Sequence, residues 1–433
     1  MGVAAVTLTC LIVFVWGLFS ARLGRADLSA PIVFVVVGAL LSEGLQVIDP
    51  DLTNEIVKVL AEVTLVWVLF ADASRVGLRE LRADAGLYVR LLGVGLPLTV
   101  AAGTLLAMVM FGGMSVWLAL LMGAALAPTD AALGAAVMTN PAVPERVRRA
   151  LNIESGLNDG IVTPVVSVAI AGAATAQSLH GGPSVDGALI ELAIGLAVGI
   201  VAGLVGGRAM RIARLRGWAS EELAGPALLA LALAIYTGTL WLEGNGFVAA
   251  FVAGLVFSHF AGRGGPQEVF YVEQTAGLVS LLTWLLFGAV AVTTLVDQAD
   301  WQVLAYALLS LTVVRMLPVA LALAGCGLSA PTVAFIGWFG PRGLASVIFA
   351  LLALEDLNTG ADRAVAVIGM TVLLSVFAHG LSARPLANRY GTISADSSPR
   401  AVDGRAPGQL PVRGLLHRHP EAQTAQPGAG GPK

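Results

Sequence analysis

The sequence predicts an all-α polytopic membrane protein of thirteen transmembrane helices, arranged as two inverted six-helix repeats whose broken helices 5 and 12 cross at the midplane. Three observations carry that expectation. Of the 433 residues, 57% are apolar and 12% charged, about half the charged share of an ordinary soluble protein, and the mean hydropathy is +0.84. Basic residues collect in alternate loops. Proline, glycine and ionisable residues interrupt two of the apolar stretches from within. The composition excludes a soluble multidomain enzyme, and the net charge of -3 offers nothing to a nucleic acid. Cys10 and Cys326 both lie in apolar segments, so no disulfide scaffold is expected.

Apolar stretches of about 20 residues, the length that spans a bilayer, fall at 3–20, 29–48, 53–71, 87–111, 115–138, 150–172, 187–207, 222–242, 246–260, 272–295, 301–326, 331–354 and 364–383. The first has no basic segment before it and no small-residue cleavage site ahead of Arg22, so it reads as a retained span rather than a signal peptide. The third is interrupted by Glu55, Lys58 and Glu62, whose spacing places them on one helix face. The ninth is short. Lys and Arg should gather in cytoplasmic loops, and all but four of the 25 basic residues fall on one side of this count. Arg363 lies on the other side, and Lys58, Arg315 and Arg342 lie within spans. The N-terminus is therefore expected outside and the C-terminus in the cytoplasm of a multi-pass protein of the cell membrane. Residues 1–390 form the transmembrane domain, with repeats over 3–172 and 222–383 and a bridging helix at 187–207. From Gly391 the chain is rich in Pro, Gly, Ser, Ala and Arg, and residues 391–433 read as a disordered cytoplasmic tail.

An ionisable side chain at the bilayer centre costs about 2.5–3.5 kcal/mol on insertion scales and marks function. Such groups concentrate in Ala127-Pro128-Thr129-Asp130, in Glu154-Ser155-Gly156-Leu157-Asn158-Asp159 and in Gly340-Pro341-Arg342-Gly343. Pro128 and Pro341 remove backbone donors and disfavour helix in the residue before them, so the fifth and twelfth spans should break. Each break falls in the fifth helix of its six-helix group, the layout in which discontinuous helices meet at a transporter's binding site. Asp130 would sit at a half-helix N-terminus, and Arg342 would offset half-helix C-terminal carbonyls.

In the sixth span, four-residue spacing puts Ser155 with Asp159 on one stripe and Glu154 with Asn158 on the next. The first stripe offers hard oxygen ligands to a small cation. Glu154 seeks a cation within the protein, for which Arg342 is the expected partner. Arg315 reads as an ion-pair or carbonyl partner, and His379 as a packing residue. Asn158 cannot titrate, so Asp159 is the one exchangeable charge of its pair, holding either a proton or a monovalent cation. A one-for-one swap moves no net charge. Asp72, ending the run Leu65 to Ala71, is a further candidate ligand beside the alternative of an interfacial carboxylate.

With these segments, together with Gly246-Phe247-Val248-Ala249-Ala250-Phe251-Val252-Ala253-Gly254 and His379-Gly380-Leu381-Ser382-Ala383, the chain resembles the monovalent cation:proton antiporters, specifically the electroneutral sodium/proton exchangers of NhaP type, over residues 5–385. The resemblance implies that Asp159 carries proton and cation, and that Asp130, Ser155 and the Thr129 carbonyl help coordinate Na+. It implies that Asn158 stabilises the helix crossing and that Glu154 and Arg342 form a structural ion pair. It also implies a homodimer and movement of a six-helix core against a dimerisation domain. Asp72 corresponds to an acidic ligand position of the third helix. Ala131 departs from the family's frequent proline after Thr-Asp and bears on the local shape of the break. No ATP-binding signature is present, so an ion gradient drives the process, with no cofactor beyond the transported ions and no catalysis. Potassium/proton exchange through the same site, a passive cation channel and a membrane sensor are the alternatives.

Overall fold

The computed structural model describes residues 3–25, 28–46, 54–76, 84–177, 184–262 and 266–396, and among them every regular element is helical. In chain order the helices are α1 (Val3–Arg25), α2 (Ala30–Gly44), α3 (Asn54–Arg75), α4 (Ala85–Met110), α5 (Val116–Ala125), α6 (Ala135–Met138), α7 (Glu145–Ala176) and α8 (Val185–Leu215). They continue with α9 (Glu221–Trp241), α10 (Gly246–Phe260), α11 (Pro266–Gln298), α12 (Trp301–Ala322), α13 (Ala330–Trp338), α14 (Leu344–Leu357) and α15 (Asp362–Asp396). A bilayer core cannot satisfy free amides and carbonyls, so the chain closes its backbone bonds within helices. Among the described residues eight helices are long and apolar enough to cross a membrane, and α2, α5 and α10 are shorter apolar helices.

Glycine sets how closely these helices approach. In α8 a side chain at Gly195, Gly199, Gly203 or Gly207 would meet the carbonyls of Asn245, just ahead of α10, and of Ala249, Ala253 and Phe257 on it, at 2.5, 2.7, 2.6 and 3.0 Å from its Cβ. That four-residue repeat is the small-residue seam of membrane helix pairs. α10 is capped at its start by Asn245, whose Oδ1 accepts the Val248 amide at 3.0 Å, while its Nδ2 donates to Ser167 on α7 at 2.8 Å.

Two departures from the sequence expectation concern helix ends. Asp72 lies within α3, which runs on to Arg75, rather than at the end of the span. The last helix extends to Asp396, past the expected tail boundary at Gly391. Tertiary contact carries it there: Tyr390 stacks on Phe335 of α13 with centroids 4.2 Å apart, its hydroxyl lies 2.9 Å from Thr332, and Gly391 packs against Ala142. The tail expectation otherwise falls on residues 397–433, outside the described residues.

The arginine-bearing helix ends meet one another. Arg384 donates to the Gly24 carbonyl, Arg146 bonds Asp84 through two nitrogens at 2.8 Å each, and Arg214 donates to the Ala261 carbonyl. At the start of α12, Arg363 reaches Asp300 and Gln302, and Gln302 donates to Met110 at the end of α4.

Candidate functional site

Two chain breaks and one polar helix build the site. α5 stops at Ala125 ahead of Pro128, and α13 stops at Trp338 ahead of Pro341. The two breaks bond directly: the Asp130 amide donates to the Pro341 carbonyl at 2.8 Å. The Arg342 guanidinium donates to the carbonyls of Ala127 at 2.7 Å and Pro128 at 3.1 Å, just beyond the C-terminus of α5. The Asp130 carboxylate accepts the Ala132 and Leu133 amides on Oδ1, at 2.7 and 3.2 Å, and the Leu344 amide at the start of α14 on Oδ2, at 3.0 Å. A cation thus meets helix C-terminal carbonyls and an anion meets an N-terminus, as the backbone dipoles favour. Gly343 is required here, because a Cβ would lie 2.0 Å from Asp130 Oδ2.

The crossing is braced from α15. The Arg342 amide donates to Ser375 Oγ at 2.6 Å, and Ser375 Oγ lies 3.1 Å from His379 Nδ1. His379 Nε2 lies 2.9 Å from the Trp338 carbonyl. Nε2 thus faces the last carbonyl of α13, and Nδ1 lies between Ser375 Oγ and, at 3.0 Å, the Ser375 carbonyl. His379 therefore satisfies a helix end that lipid could not.

α7 supplies the remaining groups. Asn158 Nδ2 donates to Thr129 Oγ1 at 2.7 Å, and Thr129 Oγ1 lies 2.8 Å from Ser155 Oγ. Asp159 is 9% exposed, one residue beyond Asn158 and one turn beyond Ser155. Thr129 and Ser155 are thus joined by a hydrogen bond beside Asp130, while Asp159 is buried one turn along α7.

The expected Glu154–Arg342 pair does not form. Glu154 Oε1 accepts from Arg315 of α12 at 2.6 Å, with the two side chains 2% and 1% exposed. Arg342 sits on the break itself, where the Ala127 and Pro128 carbonyls lack helical donors. Arg315, from the facing helix, is left to the carboxylate. Gly340 makes room for it, since a Cβ there would lie 2.4 Å from Arg315 Nε.

Asp72 lies against α7, where a Cβ on Gly156 would be 3.7 Å from its own Cβ. With Arg75, Val76, Ala131, Asn152, Ile153 and Gly156 it lines a cavity of about 20 Å3, room for about one water.

The transmembrane sodium/hydrogen exchanger model matches residues 8–389. The chain belongs to the sodium/hydrogen exchanger family. It is 27% identical over 363 residues to the K(+)/H(+) antiporter NhaP of Alkalimonas amylolytica, an alignment covering 80% of this chain and 60% of that protein. The chain thus spans 60% of that relative's length. It is 26% identical over 398 residues to the Na(+)/H(+) antiporter ApNhaP of Aphanothece halophytica, covering 86% of this chain and 74% of the other. The solved structure of the sodium proton antiporter MjNhaP1 from Methanocaldococcus jannaschii at pH 8 superposes with a TM-score of 0.72 at 21% identity, covering 90% of this chain and 99% of that one. That likeness establishes the fold.

Ser375, Arg75 and Glu273 lie beside these groups and were not among the residues expected there. Ser375 stands one turn before His379, a spacing that could have found it. Arg75 and Glu273 meet at 2.5 Å beside Asp72, and nothing in their sequence separation signals that contact.

Proposed function

We propose that this exchanger moves Na+ or Li+ against H+ across the cell membrane, one for one, with Asp159 holding the proton and the cation in turn. The charge count at the crossing carries this reading. Among the buried groups of the two breaks, α7 and α12, Arg315 and Arg342 stand against Glu154, Asp130 and Asp159, one negative charge in excess, while the buried Asp72 of α3 lies beside Arg75. Buried net charge is costly, and one proton or one monovalent cation cancels it. Asn158 adds hydrogen bonding without charge. Ser155, Asp130 and Thr129 complete an oxygen-rich surround for a cation, with Asp72 on the approach.

The names of the two relatives favour different ions, and oxygen ligands of these types do not fix ion size. Potassium/proton exchange through the same carboxylate is the second reading. Thirteen crossings in two inverted six-helix repeats about the bridging segment 187–207, an outer N-terminus and a cytoplasmic C-terminus belong to the same proposal. The meeting of arginine-bearing helix ends supports that orientation. A homodimer belongs to the same proposal.

The test uses purified protein in liposomes with an imposed pH gradient and internal pH followed by fluorescence. Na+ and Li+ should collapse the gradient, independently of clamped voltage, and Asp159→Asn should not respond. Collapse by K+ alone moves the assignment to the potassium reading. Voltage-driven flux that survives Asp159→Asn overturns the single-carrier mechanism in favour of a channel.

A further inference from the structure

We propose that Trp338 is a positioning residue for cation binding. Gripped by α15 through its indole and its carbonyl, it fixes where the half-helix α13 ends and so where the Pro341 carbonyl meets Asp130; the inference rests on the exchange reading above. Ser375, His379 and Ser382 follow one another at four and three residues, which puts them on a single stripe of α15. Two of the three meet Trp338, the last residue of α13. The indole Nε1 donates to Ser382 Oγ at 3.1 Å, the carbonyl lies 2.9 Å from His379 Nε2, and the indole and imidazole rings lie 5.0 Å apart at 34°. Near the other end of α13, Tyr390 meets Thr332 and Phe335. One helix thus grips a nine-residue half-helix at both ends.

A helix this short makes few backbone bonds of its own, so packing decides its place. α15 is itself held on another face: a Cβ on Gly380 would lie 2.6 Å from Ile32 Cδ1 of α2 and 3.3 Å from Ser29 Oγ, so the stripe has no room to retreat. Trp338 stands three residues before Pro341, whose carbonyl accepts the Asp130 amide at 2.8 Å, and Leu344 donates to the Asp130 carboxylate at 3.0 Å. Ser375, on the same stripe, accepts the Arg342 amide at 2.6 Å. Between Trp338 and Pro341 the Gly340 amide donates back to the Trp338 carbonyl at 2.8 Å, a tight turn that passes a displacement of Trp338 on to Pro341. The effect of Trp338 on the site therefore runs through the backbone of the break.

The test measures exchange rate against Na+ and K+ concentration in liposomes for the unmodified protein, Trp338→Phe, Ser382→Ala, Ser382→Thr and the double variant Trp338→Phe with Ser382→Ala. Trp338→Phe keeps a ring and loses the N–H. It and Ser382→Ala should each raise the KM for the transported cation about fivefold, the scale of one hydrogen bond, with the maximal rate within about twofold of the unmodified protein. The double variant should be no worse than either single one, because all three lack the same bond. Ser382→Thr keeps the hydroxyl and should return KM to within about twofold. The Na+ or K+ concentration that half-maximally stabilises the protein in detergent against heat supplies a readout that needs no transport, and it should shift by the same factor. A purely structural bond would lower the melting temperature and the maximal rate with KM and this midpoint unmoved. That result overturns the proposal, as does a double variant whose effect is the product of the single ones. Failure of the exchange reading is separate: it appears as no Asp159-dependent flux in the unmodified protein, while the thermal midpoints still decide the role of Trp338.

Discussion

α7 and α8 are 32 and 31 residues long and both cross the membrane, yet they are built on opposite principles. In the most apolar stretch of α7, 61% of residues are buried, against 22% in α8. α7 carries Glu154, Ser155, Asn158, Asp159 and Thr163 inward, and the helices around it bond them: Arg315 takes Glu154, and Thr129 meets both Ser155 and Asn158. α8 presents glycines to the carbonyls of α10 on one face and Leu196, Ile200, Val201 and Val205 outward. A polar group in lipid must find a partner, so α7 depends on chemistry. A helix held by close backbone approach depends on volume, so α8 tolerates chemical change on its outer face but no added bulk on its inner one.

Asp159→Asn is the sharpest break of the comparison, since it changes charge with almost no change in volume. Exchange should fall to background, while the melting temperature in detergent stays near that of the unmodified protein. Glu154→Gln should act on stability instead. It leaves the Arg315 guanidinium buried without its carboxylate, which costs about 3–5 kcal/mol. Thermal or denaturant unfolding should show that loss, and Glu154→Met combined with Arg315→Met should recover most of it, because a buried pair replaced by apolar residues is often neutral.

On α8 the expected pattern reverses. Gly199→Leu places atoms where the Ala249 carbonyl now stands and should destabilise by about 1–3 kcal/mol, the range for overpacking. Val201→Leu, on the outward face, should leave the melting temperature unmoved. If both variants melt alike, the glycine seam is not what joins α8 to α10.

The smallest effect belongs to the rim, away from both helices. The Val303 amide first, and then Arg363, hold the Asp300 carboxyl below its ordinary value of 3.8. A carboxyl with a depressed folded-state pKa contributes stability above its unfolded pKa and loses it as the pH falls through the folded one. The melting-temperature difference between Asp300→Asn and the unmodified protein should therefore be constant through neutral pH and vanish in strong acid.

Much of this molecule was legible before any coordinates. Apolar length and low charge determine an all-helical membrane fold, because a bilayer leaves the backbone no other solution. Pro128, and Pro341 with Gly340 and Gly343 beside it, determine where two helices break. Dipole direction determines that Asp130 meets a helix N-terminus and Arg342 meets carbonyls, and helical periodicity determines that Ser155 and Asp159 share a stripe. The partners across helices were decided only in three dimensions. Arg315 and Arg342 carry the same charge in similar apolar surroundings, so nothing local selects between them for Glu154. The choice follows from which guanidinium the crossing already uses. The meeting of Arg75 with Glu273 and the continuation of α15 past Gly391 over Ala142 and Phe335 have the same origin. Each rests on contacts between residues far apart in the chain, and their energies depend on distances that sequence periodicity does not contain.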